Sequence, residues 1–329
     1  MNNHLPRRVI LDTDPGVDDA LAIALALRSP ELDVTAITTV CGNVPVEQAT
    51  RNLFSVLGLI RHPADLLIGQ GAAKPLIRPL DPATYFHGAD GLGELDRVQN
   101  EDGSPRYLPP DLSRVLPTAH EIWMECLRRF PDELTLITLG PLTNLARALE
   151  SDPSTVRRFR DVICMGGAIN VPGNVTPAAE FNIFADPDAA RRVLESGLSI
   201  TLVPLDVTTQ VALSRENILA LTMGATGAVP RFICDATTKA LDYTQQTEGQ
   251  AVFHLHDPLA VAVAIDPSLV QTVPLHVDVE TGGHFTRGLT LTDRRPLQSS
   301  YKAPPNVEVA LKVDGKRAVR LFQERLCRK

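Results

Sequence analysis

The chain has 329 residues and a formal net charge of −7, with 44% hydrophobic and 22% charged residues, a length that can bury a large core in one or two domains. A surplus of acid argues against a nucleic-acid polymer as partner, because phosphate binding wants a basic surface, and leaves a small neutral or cationic ligand open. The longest apolar run, Ala20 to Leu27, is far short of a membrane span, and the five scattered cysteines lack any C-x-x-C pair, as expected of reduced, mostly buried thiols in a cytoplasmic protein.

In chain order, "RVILDT" reads as a strand and runs into a helix pattern from Asp18 to Arg28. Arg7 and Arg8 imitate the start of a signal peptide, but Asp12 and Asp14 break the apolar stretch behind them, so secretion is not expected. "VTAITTV" precedes a helix pattern from Val46 to Ile60. Residues 78–115, rich in Pro, Gly and Asp and carrying "YFHGADGLGELD", read as a long inserted loop, a length that is often functional. "ELTLITLG" leads into "PLTNLARALE", "DVICMGG" follows, and "DPDAARRVLES" leads into "SITLVPLDV". Residues 210–255 read as a helical, surface-exposed patch, after which "TVPLHVDVE" and "VEVALKVD" are late strands and "KRAVRLFQERLC" a closing helix.

Continuous apolar strands alternating with helices predict an α/β fold: an open, mostly parallel twisted sheet flanked by helices, in one domain over 1–329. In such sheets ligands bind outside the carboxyl ends of the strands. The segments at those ends are Asp12 to Asp19, Asn43, "TLGPLTN", "MGG" and Asp206.

The first of these, "LDTDPGVDDA", puts Asp12, Asp14, Asp18 and Asp19 within eight residues, with no lysine or arginine among them. Carboxylates favour first helical turns by about 0.3–1 kcal/mol each, which accounts for one or two of the four. Crowded on a buried rim, the rest need a cation or bound protons. An all-oxygen set favours calcium or magnesium over zinc, and "HDP" at His256–Pro258 supplies a further aspartate. Other motifs fail on detail. Gly16 stands where an aspartyl-phosphate phosphatase wants Thr or Val, Met124 stands where the second histidine of a zinc protease belongs, and "GLGELD" lacks the third glycine of a dinucleotide loop.

"LDTDPGVDDA" resembles the signature of the inosine-uridine-preferring nucleoside hydrolases, calcium-dependent N-ribohydrolases. "TTVCGN", "TLGPLTN", "VICMGG", "GNVTPAAEFNIFADPDAA" and "LHDPLAVA" follow in the same order, from about Val9 to the final strands. The resemblance implies a fold like that already read and Ca2+ held by Asp14, Asp19, Asp257 and the carbonyl of Leu139. It makes Asp18 the general base and His256 the group beside the leaving base. Asn43, Met165, Asn174, Glu180 and Asn182 hold the ribose together with Asp14, and His87 faces the site from the long loop. Asp12 matches no ligand and is expected to support the loop by hydrogen bonding. The substrate is then a small ribonucleoside, inosine, uridine or cytidine, and the protein a homo-oligomer, dimer or tetramer.

Breaking a ribosyl C–N bond builds positive charge on the sugar, so acidity at the site suits the reaction. His256, with an ordinary pKa near 6.5, is expected to supply a proton to the base at neutral pH. Broadly tolerant relatives carry aromatics on the helix before "HDP". Here "DYTQQTEGQAVFHLHDP" has none between Tyr243 and Phe253, so stacking from that side is not expected and the glutamines are candidates for a pyrimidine edge. A modified nucleoside as substrate, a calcium-dependent nucleoside binder without turnover and a phosphatase-like hydrolase are the rival readings.

Overall fold

The computed structural model describes residues 5–110, 112, 115–225, 227–296 and 302–327. Six strands alternate with helices: β1 (Arg7–Thr13), β2 (Leu32–Thr39), β3 (Leu67–Gln70), β4 (Thr135–Thr138), β5 (Asp161–Met165) and β6 (Ile200–Val203). After them come β7 (Ala212–Ser214), β8 (Val252–His254), β9 (Val270–Leu275), β10 (Asp278–Val279), β11 (Thr290–Leu291) and β12 (Val307–Val313). Eight of these form one sheet in the order β3-β2-β1-β4-β5-β6-β12-β9, parallel throughout except that β9 runs against β12. This is the mostly parallel, helix-flanked sheet that the sequence pattern predicts.

Burial on both faces explains the unbroken apolar strands. In β1, Val9 and Leu11 join the apolar cluster on one face, and Ile10 joins that on the other. Helices Val17–Leu27 and His256–Ile265 cover the first face, and Ala119–Arg129, Thr143–Ser151 and Pro187–Leu194 cover the second. Helix Val17–Leu27 is apolar beyond its first turn and buried from Val17 to Ala26, as a helix enclosed in a core must be.

The strand order reverses at β1, with β2 on one side and β4 on the other. A crevice opens at such a switch, outside the carboxyl ends of the two central strands. The aspartate cluster begins there.

Strands β3, β7, β8 and β11 are additions to the sequence reading, each too short for a periodic signal, and the single strand read over "TVPLHVDVE" divides into β9 and β10. Residues 210–255 are helical over Arg215–Thr222 and Ala228–Thr247, yet the second helix buries Phe232, Ile233, Ala236, Ala240 and Leu241. Buried Thr237 and Thr244 disguise that stripe as polar, and their hydroxyls donate to Ile233 O at 2.7 Å and Ala240 O at 3.2 Å.

The 78–115 segment, of which 111, 113 and 114 lie outside the described residues, is tied down more than its composition suggests. It carries helix Thr84–His87 and a turn of 3₁₀ helix at Leu95–Arg97. Arg106 pairs with Asp235 and Glu94 with Lys239, each at 2.8 Å, fastening it to helix Ala228–Thr247. All five cysteines are free, with Cys234 half-buried and the other four buried. Among the described residues no helix is long and apolar enough to cross a membrane.

Candidate active site

Two helix starts meet beyond the end of β1. Pro15 and Gly16 turn the chain into helix Val17–Leu27, whose first turn carries Asp18 and Asp19, and helix His256–Ile265 carries Asp257 in its own first turn. Oxygens of Asp18, Asp19 and Asp257 lie within 4.8 Å of one another. The positive ends of both helices favour charge there, by tenths of a kcal/mol to about 1 kcal/mol each, less than mutual repulsion costs.

Asp19 is the most heavily hydrogen-bonded of the cluster. Its Oδ1 accepts from Thr13 Oγ1 at 2.5 Å and Asp14 N at 3.2 Å, and its Oδ2 from Gly16 N and Asn43 Nδ2, both at 3.0 Å. Helix capping therefore explains Asp19 in part. It does not explain Asp14, which is fully buried. Asp14 Oδ2 accepts from Asn43 N at 2.6 Å, while Oδ1 is buried and has no partner. Its carboxylate fills the space of two missing side chains, since a Cβ on Gly42 or Gly140 would stand 2.0 or 2.3 Å from its oxygens.

Asp12 faces away from this group and into a buried network. Its Oδ1 accepts from Thr38 Oγ1 at 2.6 Å and Asn144 Nδ2 at 2.8 Å, and Trp123 Nε1 donates to the same Thr38 at 3.1 Å. The residue thus joins the ends of β1 and β2 to helix Thr143–Ser151, the supporting role expected of it.

Electrostatically the centre is frustrated. Burial, then Asp19, pushes Asp18 up to about 8, and burial alone drives Asp12 to about 7 against its hydrogen bonds. Asp14 and Asp257 are raised well above the ordinary carboxylate range by burial and by their acidic neighbours. Burial raises Asp19 too, against its many donors. The nearest cationic candidate, His87 Nδ1, lies 4.0 Å from Asp18 Oδ1. It accepts from Val17 N at 3.1 Å, and burial lowers its pKa to about 3, so it stays neutral.

A cavity of about 450 Å³ opens over the cluster, a size suited to a small organic ligand. Every candidate read from the sequence reaches it or its floor. Asp18, Asn43, His87, Leu139, Met165, Asn174, Glu180, Asn182, His256 and Asp257 line it, and Asp14 and Asp19 lie beneath. Several are already engaged. Glu180 caps helix Phe181–Ala185, accepting from Asn182 N at 2.9 Å, Ile183 N at 3.2 Å and Gly167 N at 2.9 Å. Asn182 Nδ2 donates to Leu139 O at 2.6 Å and Met165 O at 3.2 Å, which leaves its side-chain oxygen for a ligand. Asn174 accepts from Phe181 N at 3.0 Å and keeps its amide hydrogens.

Two expectations about the base end need correction. Desolvation, then His254 and His87, lowers His256 to about 3, so the ordinary value near 6.5 does not apply and the ring is neutral at neutral pH. The glutamines do not reach the cavity. Gln245 is exposed and donates to Gly249 O at 3.2 Å, and Gln246 faces a neighbouring groove. The helix instead presents Tyr243, Thr244 and Thr247 to the cavity, at i, i+1 and i+4, and Tyr85 and Phe86 of the long loop complete the wall. Tyr243 lies 5.6 Å from Tyr85 and 5.7 Å from Phe86, ring to ring. Thr209, Glu248 and His254 also line this end and were missed. Helical phase could have found Thr247; nothing in the sequence brings Tyr85 to Tyr243.

The residues fit a metal ion. The donors are all oxygen, a buried carboxylate oxygen on Asp14 is unpartnered, and among the described residues no lysine or arginine pairs with the cluster. A hard divalent cation is what such a set binds.

Fold and centre together define an α/β protein with a cavity of small-ligand size over a carboxylate cluster that fits a metal ion, at a strand-order switch. The family model described as inosine-uridine preferring nucleoside hydrolase matches residues 9–320, and the chain belongs to that family. It is 38% identical to the pyrimidine-specific ribonucleoside hydrolase RihA of Citrobacter koseri over 320 residues, 97% of each chain. It is also 38% identical to the non-specific ribonucleoside hydrolase RihC of Escherichia coli over 309 residues, 94% of each. Among solved structures it resembles a plant nucleoside hydrolase, the PpNRh1 enzyme, with a TM-score of 0.87 and 35% identity over 98% of this chain and 100% of that one. A purine-preferring ribonucleoside hydrolase from Gardnerella vaginalis gives a TM-score of 0.84 at 32% identity, over 98% of each chain.

Proposed function

We propose that the chain, acting as one domain, cleaves inosine, uridine or cytidine to base and ribose with Ca2+ held by Asp14, Asp19, Asp257 and the Leu139 carbonyl. The reaction class, hydrolysis of ribonucleosides, follows from family membership. The observation that carries the mechanistic reading is the unpaired carboxylate cluster opening into a cavity of nucleoside size. When bound, the cation supplies positive charge that lowers the pKa of a water and attracts sugar hydroxyls.

The remaining work falls to side chains. Asp18 is the most accessible of the clustered acids, 8% exposed against 0% for Asp14 and Asp19, and it takes the proton of the attacking water. Asn174 and Asn182 offer an amide donor and a carbonyl acceptor to the ribose hydroxyls. Asn43 and Glu180 hold the frame around them. As the C–N bond breaks, its electron pair moves to the base and the ring cation meets the carboxylates. His256 stands at the base end and donates a hydrogen bond as neutral imidazole. Aromatic contact comes from Tyr85, Phe86 and Tyr243. The net charge of −7 and the five free cysteines suit a cytoplasmic protein acting on free nucleosides as a homo-oligomer.

The test is ribose release from inosine, uridine and cytidine with and without chelator. Loss on chelation, and a fall of about 10²–10⁴-fold in Asp18→Asn, supports the reading. Tight nucleoside binding with no ribose released would replace it with a binding protein.

A further inference from the structure

We infer that Thr208 is a positioning residue for the leaving base, fixing His256 with its ring proton on Nε2. The inference rests on the placement of His256 at the base end given above.

Thr208 ends the short helix Leu205–Thr208 that follows β6, and it is fully buried. Its Oγ1 lies 2.7 Å from His256 Nδ1. The donor accounting around it settles the direction of that bond. The Thr208 N–H goes to Pro204 O at 3.1 Å, and the neighbouring Thr209 hydroxyl takes Leu205 O at 2.6 Å. Among the described residues the Thr208 hydroxyl has no bond other than the one to His256. Were Nδ1 protonated, the ring would donate to Oγ1 and the buried hydroxyl hydrogen would have no acceptor. A buried polar hydrogen without a partner is disfavoured strongly enough that the hydroxyl donates and Nδ1 accepts. The single N–H of the ring is then on Nε2, which among the described residues has no hydrogen-bond partner, and His256 borders the cavity.

That arrangement has a chemical consequence. As the C–N electron pair passes to the base, Nε2–H donates a hydrogen bond to the nitrogen that becomes anionic. No proton leaves the ring, so the imidazole ends the step as it began. The proton released by the attacking water goes to Asp18. With the other tautomer, Nε2 would present a lone pair to the departing anion and oppose the step.

The experiment compares Thr208→Val, which keeps the shape and removes the hydroxyl, with Thr208→Ser, which keeps the hydroxyl, both calcium-loaded. Each is assayed on uridine, whose base leaves poorly, and on a nitrophenyl ribofuranoside, whose phenolate leaves readily. For Thr208→Val the ratio of kcat on uridine to kcat on the nitrophenyl substrate should fall about 30-fold, with KM for uridine changed by less than about threefold. Thr208→Ser should restore the ratio to within about threefold. Nitrogen-15 NMR of the holoenzyme should show His256 Nδ1 unprotonated in the native protein and partly protonated in Thr208→Val. Equal losses on both substrates, failure of Thr208→Ser to rescue, or a protonated Nδ1 in the native protein would overturn the inference. Unimpaired uridine cleavage by His256→Ala would instead remove His256 from the reaction and the role of Thr208 with it, and the NMR result would still report the hydrogen bond independently.

Discussion

Stripping the cation should make the fold weaker as pH rises, the reverse of ordinary acid unfolding. The perturbation is excess chelator across about pH 5 to about pH 8.5. Asp18 moves from the ordinary 3.8 to about 8 on folding, so between those values the native protein keeps a proton that the unfolded chain has released. Its stabilising contribution is complete below about pH 4 and is lost as pH climbs through about 8. Linkage for this group alone gives a loss of about 4 kcal/mol over the range, and Asp12, at about 7 in the fold, adds about 3 kcal/mol. His87 and His256, lowered from 6.5 to about 3, each return about 2 kcal/mol between about pH 5 and about pH 7, so the net loss is about 3 kcal/mol and falls mainly above about pH 7. Calcium favours the charged forms and should flatten the slope, returning about 2.7 kcal/mol at about 100 times its Kd. The assay is urea unfolding followed by fluorescence of Trp123, the single tryptophan, which is buried beside Thr38 and Asp12. A urea midpoint in chelator that stays level or rises between about pH 7 and about pH 8.5 would refute the reasoning.

Gly42→Ala would place a Cβ 2.0 Å from Asp14 Oδ2, displacing that carboxylate; calcium affinity by calorimetry should fall about 10–100-fold, and unchanged affinity would remove Asp14 from the ligands. Asp12→Ala leaves the Thr38 and Asn144 donors without their shared acceptor, and urea unfolding should report a loss of about 1–3 kcal/mol; no loss would mean the network is dispensable. A site whose polar groups hold ribose hydroxyls should turn over 2′-deoxyuridine about 10⁴-fold less efficiently than uridine, and kcat/KM values within about tenfold would contradict that grip.

Legibility followed burial. Strands β1, β2, β4, β5 and β6 stand out in the sequence because burial demands apolar runs, and β12 stands out by alternation, whereas β3 has only Leu67 to Gln70 to announce it. At the site, the acids were legible because unpaired charge beside a core element has few explanations. The base wall was not. An aromatic count between Tyr243 and Phe253 missed that Tyr243 itself faces the cavity, while Phe253 is enclosed in the core. Gln245 and Gln246 share the helix but point elsewhere, since each residue turns the side chain by about 100°. Tyr85 and Phe86 lie far from Tyr243 in sequence, and only the folded loop, fastened by the Glu94–Lys239 pair, brings them alongside.

On the proposed function, the aromatic wall of the cavity and the clustered acids are rooted in different elements, joined through His87, which follows Phe86 and accepts from Val17 N. Tyr85 and Phe86 sit on an inserted loop and Tyr243 to Glu248 at the end of a long helix, while the aspartates are rooted in the central strands and the two helix starts. If the cavity wall selects the base as proposed, changes at Tyr85 or at the end of helix Ala228–Thr247 can retune which base is admitted while leaving the aspartates in place. One scaffold can serve diverging appetites on those terms, as relatives named pyrimidine-specific, non-specific and purine-preferring illustrate.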